Sequence, residues 1–175
     1  MHLVKLAPPD LKNIGIQIYQ QQIFSDERGS LRLWYESMGN DSLHSPTFKI
    51  ADSHPRVGRG LHRQNSRSPQ TKVITVFSGE VFDFFFDPER PDVLYYIHLC
   101  ASDGITLCIP PKYAHGYITI SRTCFMYSCF GLYDEENEQV FNFLPLAARA
   151  LNIDSVTISS KDRLGITTGQ IESNS

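Results

Sequence analysis

Short apolar runs, separated by turn-forming residues, recur along most of the chain. They are rich in β-branched and aromatic residues and lie at 14–23, 30–35, 47–51, 72–77, 81–86, 94–100, 105–109, 114–120 and 124–132. Runs of this length at such regular spacing are typical of the strands of all-β sandwiches and barrels. The tripeptide Ser78-Gly79-Glu80 between two of the runs also predicts a hairpin turn. The pattern therefore predicts an all-β fold.

One segment near the C-terminus has the periodicity of a helix instead. Within residues 142–152, the apolar residues Leu144, Ala147 and Leu151 recur at the spacing of one helix face. No repeat, block of like charges or low-complexity segment divides the chain. We therefore expect a single domain over residues 1–175, with a short helical segment after the strands.

The charge balance argues against two classes of partner. Lys and Arg number 16 against 19 Asp and Glu, a net charge of −3, which gives no general attraction to nucleic acid or to an anionic membrane. The longest uncharged stretch, residues 13–25, is too short and too rich in Gln to span a bilayer. An anionic ligand would therefore need a local cluster of basic residues.

The distribution of the cysteines indicates the cellular compartment. All four lie in apolar runs without Cys-x-x-Cys spacing, at Cys100, Cys108, Cys124 and Cys129. This distribution favours buried free thiols in a reducing environment. The apolar part of the N-terminus is also too short for a secretory signal. We therefore expect a cytoplasmic protein.

Several polar residues stand out in or beside the predicted runs. They are His62, Lys72, His115, Tyr127 and Asp162. Strand alternation places Lys72 on the same face as Ile74, where its ammonium either reaches solvent or points into a cavity. Taken singly, each residue fits an ordinary structural role, such as a hydrogen-bonded His, a packed Tyr or a helix cap.

The order and spacing of six motifs connect these residues. The motifs are Asp-x-Arg-Gly at 26–29, Arg-Gly-Leu-His-x-Gln at 59–64, Lys-Val with Gly-Glu-Val-Phe-Asp at 72–83, Ile-Pro-Pro-x-x-Ala-His-Gly-Tyr at 109–117, Tyr127, and Ser-x-Lys-Asp at 159–162. In this order the chain resembles the dTDP-4-dehydrorhamnose 3,5-epimerase family from about residue 24 to residue 162. The resemblance implies a cupin-type jelly-roll β-barrel, a homodimer, and a role in deoxysugar and polysaccharide biosynthesis.

The resemblance also implies a role for each residue. His62 would be the base, Asp162 the carboxylate that orients it, and Tyr127 the acid on the opposite face. Lys72 would lie near the developing oxyanion. The residues implied to bind the nucleotide-diphosphate sugar are Arg59, His115, Arg28, Phe24, Lys49, Tyr133 and Gln64.

These roles agree with the chemistry of a 4-keto sugar. A C–H bond beside the carbonyl is weakly acidic, so inverting that carbon needs a base, an acid on the other face and a group that stabilises the enolate. Two alternatives stay open: a 3,4-ketoisomerase of the same fold, and a catalytically silent sugar-nucleotide-binding barrel. The presence of both a base and an acid favours epimerisation at C3, C5 or both.

A metal site is not predicted. Metal-binding cupins need two histidines one residue apart and a carboxylate, whereas His62 is followed by Arg63 and Gln64. The nucleophile motif Gly-x-Ser-x-Gly is also absent from the sequence. We expect an enzyme that uses neither a metal nor another cofactor.

The nucleotide pocket departs from the family pattern. Leu33, Lys49 and Ala51 stand where the family has a polar set associated with thymine recognition. Leu and Ala remove hydrogen-bond partners that the thymine edge needs, and Lys49 adds a donor and a positive charge. We expect that dTDP is not the preferred nucleotide, or that it binds in a shifted pose.

Overall fold

A computed structural model describes residues 1–27, 29–33, 47–167 and 170. Within these residues the strands are β1 (His2–Lys5), β2 (Gln17–Gln20), β3 (Gln22–Asp26), β4 (Gly29–Leu33), β5 (Thr47–Ser53), β6 (Gly58–Gln64), β7 (Thr71–Ser78), β8 (Glu80–Phe86), β9 (Val93–Cys100), β10 (Ile105–Ile109), β11 (Ala114–Thr119), β12 (Thr123–Phe130) and β13 (Glu138–Val140). The helices are α1 (Leu144–Ala150) and α2 (Ser160–Arg163), with 3₁₀ segments at Pro8–Ile14, Ala101–Asp103 and Glu135–Asn137. The predicted all-β class and the helix within 142–152 are confirmed.

Two large sheets form the body of the protein. One has the order β1-β9-β8-β11-β6-β13 and the other the order β2-β10-β7-β12-β5, while β3 and β4 form a separate pair. All strand pairs are antiparallel except β1 with β9. Strands that follow each other in the chain repeatedly lie in different sheets, which is the connectivity of a jelly roll.

The main core lies between the two sheets. Ile74, Leu107 and Phe125 from the five-stranded sheet meet Val81 and Phe85 from the six-stranded sheet in one buried cluster. These residues alternate with outward-facing ones along their strands, as the period of two requires. The alternation fills most of the barrel with apolar side chains; the polar end of the barrel is the end where polar side chains line a cavity.

A second core covers the outer face of the six-stranded sheet. Phe84 and Phe86 of β8 pack there against Phe141, Phe143 and the apolar side of α1. The ring centroids of Phe86 and Phe143 are 4.7 Å apart in an edge-to-face arrangement. The segment that follows the barrel is thereby fixed against β6 and β11, which brings α2 towards the barrel.

The predicted hairpin at Ser78-Gly79-Glu80 is wrong. β7 pairs with β10 and β12, whereas β8 pairs with β9 and β11, so the turn carries the chain from one sheet to the other. Gly79 has a φ of 80°, and a Cβ there would lie 2.3 Å from the carbonyl oxygen of Arg122. Gly79 therefore marks the position of a turn correctly. Whether β7 and β8 join the same sheet is decided instead by how the apolar face of each strand is buried.

Two other sequence predictions need correction. Run 14–23 is divided: its first residue, Ile14, ends a 3₁₀ segment, and buried Gln21 separates β2 from β3. The Gln21 amide donates to the hydroxyl oxygens of Thr75 (2.8 Å) and Thr106 (3.1 Å), and its own backbone N–H donates to Gly104 O. The cysteines are free, but only Cys129 is buried and the other three are half-buried.

The end of run 30–35 and the residues between it and run 47–51 lie outside the described residues. In the part of the chain that the structure describes, no helix has the length and apolar character needed to cross a membrane.

Candidate active site

A cavity of about 370 Å³ opens at the polar end of the barrel. Strands β6, β7, β11 and β12 form its walls, and the segment that leads into α2 forms one side. Its polar lining consists of Arg59, His62, Lys72, His115, Tyr117, Tyr127, Thr157, Ser159 and Asp162. Basic, acidic and phenolic groups therefore converge in one place in a protein of net negative charge.

The wall between β6 and β11 depends on two glycines. Gly60 has a φ of 107°, and a Cβ there would lie 2.7 Å from both Gly116 Cα and His115 O. A Cβ on Gly116 would lie 2.5 Å from Arg59 O. The two backbones approach too closely for any side chain, and this approach places Arg59, His62 and His115 around one opening.

Gly60→Ala should therefore destabilise the protein clearly more than Gly15→Ala. Gly15 also has a positive φ, of 80°, but a Cβ there meets nothing within 4 Å. Gly15→Ala should cost about 1–2 kcal/mol of unfolding free energy from backbone strain alone, and Gly60→Ala about 2 kcal/mol more from the clash. Urea unfolding of both variants measures the difference. Equal losses would contradict the close contact between β6 and β11.

His62 and Asp162 form a hydrogen-bonded pair in the cavity. His62 Nε2 lies 2.6 Å from Asp162 Oδ1. Burial opposes the charged form of the Asp162 carboxyl, but the hydrogen bond and charge of His62, with the Ser159 hydroxyl, hold the pKa of Asp162 below its usual range. Because the carboxylate is ionised, Nε2 carries the proton and donates it, which leaves the lone pair on Nδ1.

Asp162 is fixed by the start of α2. Ser159 caps this short helix, and its hydroxyl oxygen accepts a hydrogen bond of 3.1 Å from the Asp162 backbone N–H. The Asp162 side chain is nearly buried. The Ser-x-Lys-Asp motif therefore forms a helix cap, and the same cap holds the Asp162 carboxylate beside His62.

Lys72 lies on the same face of β7 as Ile74, and its ammonium points into the cavity rather than out to solvent. Its ammonium donates a hydrogen bond of 2.6 Å to the backbone oxygen of His62. Burial lowers the pKa of Lys72 to about 8, and the nearby Lys49 charge acts in the same direction. The ammonium is thus still the main form at neutral pH, and it lies within the same cavity as His62.

His115 is held rigidly by its neighbours. Its Nε2 lies 2.7 Å from Oδ1 of Asp83, which is completely buried. Its ring stacks between Phe85 and Phe125, with centroid separations of 6.0 and 6.2 Å. Burial raises the pKa of Asp83, and the charge and hydrogen bond of His115 oppose that rise. This packing leaves only one edge of the His115 imidazole for a ligand.

Tyr127 lies on the cavity face of β12, directly opposite Lys49 of β5. The Lys49 ammonium is 5.7 Å from the Tyr127 ring centroid and 5.6 Å from that of Tyr133. Burial raises the pKa of the Tyr127 phenol, which is opposed by the charge of Arg59. Tyr127 is therefore a protonated phenol, surrounded by cations, at neutral pH.

The structure brings six of the eleven predicted site residues to the cavity lining: His62, Tyr127, Asp162, Lys72, Arg59 and His115. Lys49 and Tyr133 lie beside it, through the ring contacts of Lys49. Gln64 is buried elsewhere and accepts a hydrogen bond of 2.8 Å from the Ser68 hydroxyl. Phe24 is 58% exposed on β3. Arg28 and the Leu33 side chain lie outside the described residues.

Sequence reasoning missed Glu138. Its Oε1 is 3.5 Å from His62 Nδ1, while its Oε2 accepts hydrogen bonds from the Tyr133 hydroxyl (3.0 Å) and from the Lys161 ammonium. Glu138 lies in an acidic segment, 134–138, without a local pattern that separates it from the exposed acids around it. Only the pairing of β13 with β6 brings it to His62.

Asp83 and Tyr117 were also missed, although both belong to quoted motifs. Asp83 is the one charged residue within Val81–Phe86, a run of otherwise apolar residues, and that contrast could have identified it. Across the described residues, no group of three or more His, Cys, Asp and Glu side chains is close enough to hold a metal ion.

Comparison with known sequences gives one consistent family. The family model described as dTDP-4-dehydrorhamnose 3,5-epimerase matches residues 11–168. The dTDP-4-dehydrorhamnose 3,5-epimerase of Salmonella typhimurium is 30% identical over 149 residues, covering 79% of this chain and 78% of that protein. The enzyme of the same name from Methanothermobacter thermautotrophicus is 27% identical over 163 residues, covering 85% and 87%.

Solved structures agree with this result. A dTDP-6-deoxy-D-glucose-3,5-epimerase from Legionella pneumophila, in complex with dTDP-4-keto-L-rhamnose, matches with a TM-score of 0.71 and 27% identity, covering 91% of this chain and 90% of that one. A 3′-monoepimerase from Streptomyces bikiniensis, in complex with dTDP-quinovose, has a TM-score of 0.77 at 20% identity and covers 91% and 87%, which shows a shared fold. The predicted cupin-type jelly roll is confirmed.

Proposed function

Because the chain belongs to the dTDP-4-dehydrorhamnose 3,5-epimerase family, we propose that it epimerises a nucleotide-linked 4-keto-6-deoxy sugar at C3, C5 or both. The observation that carries this proposal is the joint placement of His62, Asp162, Lys72 and Tyr127 in one cavity. An isomerase of this kind would serve deoxysugar and polysaccharide biosynthesis.

The first step removes a proton beside the sugar carbonyl. Asp162 accepts the Nε2–H of His62, so the lone pair of Nδ1 is the base, and it takes the proton from the sugar carbon. The C–H electron pair becomes the enolate, with negative charge on the carbonyl oxygen. The imidazolium that forms is stabilised by the ionised Asp162.

The second step returns a proton to the opposite face. Lys72, an ammonium in the cavity, stabilises the enolate oxygen by charge and hydrogen bonding. Tyr127 then gives its phenolic proton to the carbon from the face away from His62, which inverts the centre. Solvent reprotonates Tyr127, and His62 releases the proton that it took.

Arg59 and His115 lie where they can bind the diphosphate. Arg59 is tied to β5 by a hydrogen bond of 3.2 Å from its Nε to Ser53 Oγ, which leaves the end of the guanidinium open to a ligand. His115 presents one imidazole edge beside it, across the opening formed by Gly60 and Gly116. An Arg and a His at the cavity wall suit an anionic diphosphate.

Proton NMR in deuterated water tests the proposal. The protein is incubated with several nucleotide-linked 4-keto-6-deoxy sugars, and each sugar carbon is followed for loss of its proton signal. Deuterium at C3, at C5 or at both, with inverted configuration, is the expected result. Migration of the carbonyl to C3 would indicate the ketoisomerase instead, and binding without any exchange would indicate a silent barrel.

The choice of nucleotide is a separate prediction. Lys49 and Ala51 both lie on β5 opposite cavity-side residues of β12, so they cannot supply a neutral polar set for thymine. Each unpaired buried polar group costs about 1–3 kcal/mol, so the two losses, at Leu33 and Ala51, weaken dTDP binding by roughly thirty-fold to twenty-thousand-fold. Calorimetric titration with dTDP, UDP, GDP and CDP measures this. If dTDP binds clearly most tightly, the prediction is wrong.

We also propose that the protein forms a homodimer. The outer side of the edge strand β5 exposes two large apolar side chains, Phe48 (60%) and Ile50 (67%). An apolar edge strand is suited to pairing with a second copy of the same chain. Light scattering on the purified protein measures the mass that decides this.

The four free thiols support a cytoplasmic location. Three of them are half-buried, and thiols that solvent can reach persist as thiols in a reducing compartment.

A further inference from the structure

We propose that Glu138 is a positioning residue that acts through His62: its carboxylate lies beside the second imidazole nitrogen and favours the protonated ring that forms during the reaction. This inference rests on the proposed function and deepens it. It assigns a task to a carboxylate that the two-step mechanism leaves unused.

The position of Glu138 follows from the sheet. β13 is the edge strand beside β6, with Val140 opposite His62 and Glu138 opposite Gln64. Glu138 lies two residues before Val140, so the two side chains are on the same face of β13. Its side chain is 11% exposed, and Oε1 lies 3.5 Å from His62 Nδ1. The two imidazole nitrogens thus face two different carboxylates, Asp162 on one side and Glu138 on the other.

Two further groups fix the Glu138 carboxylate in this place. Lys161 donates a hydrogen bond to Oε2, and the Tyr133 hydroxyl donates another of 3.0 Å. Burial disfavours the ionised form of Glu138, but these hydrogen bonds, together with the charges of His62 and Lys161, lower its pKa below the usual range. Glu138 is consequently an anion over the range in which an imidazole titrates.

α2 provides both halves of this arrangement. Its consecutive residues Lys161 and Asp162 point to Glu138 and to His62 respectively. The helix therefore sets the distance between the two carboxylates that bracket the imidazole. The hydrogen bond to Asp162 fixes the orientation of the neutral His62 ring, and this orientation places Nδ1 beside Glu138.

Whether Glu138 favours or opposes proton abstraction depends on which imidazole nitrogen of His62 takes the proton. Nε2 already carries a proton that it donates to Asp162, so the incoming proton goes to Nδ1. Before the transfer, the Nδ1 lone pair gains nothing from an adjacent anion. After the transfer, an N–H⁺ lies beside the Glu138 carboxylate, which is attractive. Glu138 therefore stabilises the product of proton abstraction more than the reactant.

Other charged and titratable groups line the same cavity, Arg59 and Tyr117 among them. Lys72 of β7 donates to the His62 backbone oxygen, and its positive charge acts against a protonated ring. His115 of β11 is the register partner of His62, but its imidazole pairs with Asp83. The Tyr127 phenol of β12 lines the same cavity and is uncharged at neutral pH.

The test follows the titration of His62 by NMR in the ligand-free protein, together with the pH profile of kcat/KM. Glu138→Gln keeps the shape and removes the charge. We expect its His62 titration midpoint, and the acidic limb of kcat/KM, to fall by about one pH unit, and kcat at neutral pH to fall about ten-fold. Glu138→Asp should recover part of both losses because it restores the charge.

Control experiments distinguish the electrostatic role of Glu138 from a purely structural one. Glu80→Gln is the matched variant, because Glu80 Oε2 pairs with His98 Nε2 at 3.0 Å far from the cavity lining; it should leave the His62 titration unchanged. A lower melting temperature for Glu138→Gln with no movement of either pH midpoint would overturn the proposal. If the wild type exchanges no sugar proton at all, the proposed function fails, and the His62 titration still decides the role of Glu138.

Discussion

His62→Ala is expected to abolish the exchange of the sugar C–H with solvent, while nucleotide-diphosphate binding stays within a few-fold of wild type. The base acts on the transition state, whereas ground-state binding depends on Arg59, His115 and Lys72, so the loss falls on kcat rather than on affinity. A positioned general base contributes about 10²–10⁴-fold in rate. Deuterium incorporation by NMR gives the rate, and calorimetry gives the affinity.

His98→Ala is the matched control for that variant. His98 also has a carboxylate partner, Glu80, but it lies on β9 outside the cavity lining. Its removal should leave exchange unchanged. Undiminished exchange in His62→Ala would remove His62 from the mechanism.

Tyr127→Phe is expected to separate proton removal from inversion. His62 can still take the proton and return deuterium to the same face, so incorporation with retained configuration should persist. Inversion should fall by about 10²–10⁴-fold, because it needs a proton from the other face. The two rates are measured in one NMR experiment, from the loss of the proton signal and from the appearance of the epimer.

Tyr96→Phe is the corresponding control. Tyr96 is a half-buried tyrosine on β9 that stacks on Phe84, with ring centroids 6.0 Å apart, outside the cavity lining. This variant should epimerise at the wild-type rate. Full epimerase activity in Tyr127→Phe would show that another group returns the proton.

The parts of the site that the sequence predicts are those carried by motifs or by strand alternation. His62, His115 and Asp162 each lie in a short pattern of fixed spacing, and alternation places Lys72 on the same face of β7 as Ile74, although it does not decide between solvent and the cavity. Local patterns of this kind survive folding because they depend only on neighbouring residues. The same logic accounts for the correct helix at α1.

The parts that the sequence does not predict depend on pairing between distant segments. Glu138 reaches His62 only because β13 adds to the edge of β6, across more than seventy residues of chain. The hairpin at Gly79 fails for the same reason, since a turn signal does not specify which sheet each strand joins. Buried Gln21 breaks a run that looks continuous because its partners, Thr75 and Thr106, lie on other strands.

The environment of Lys72 also makes this residue a target for selective chemical labelling. An amine whose pKa is lowered to about 8 is a free nucleophile in about a tenth of the molecules at pH 7, whereas ordinary surface lysines are almost entirely protonated. Because Lys72 lines an open cavity, a small acylating reagent at mild pH should label it ahead of the other lysines. Ligands that fill the cavity would protect it. Labelling at this one position would then report occupancy directly, and a covalent inhibitor could be anchored there.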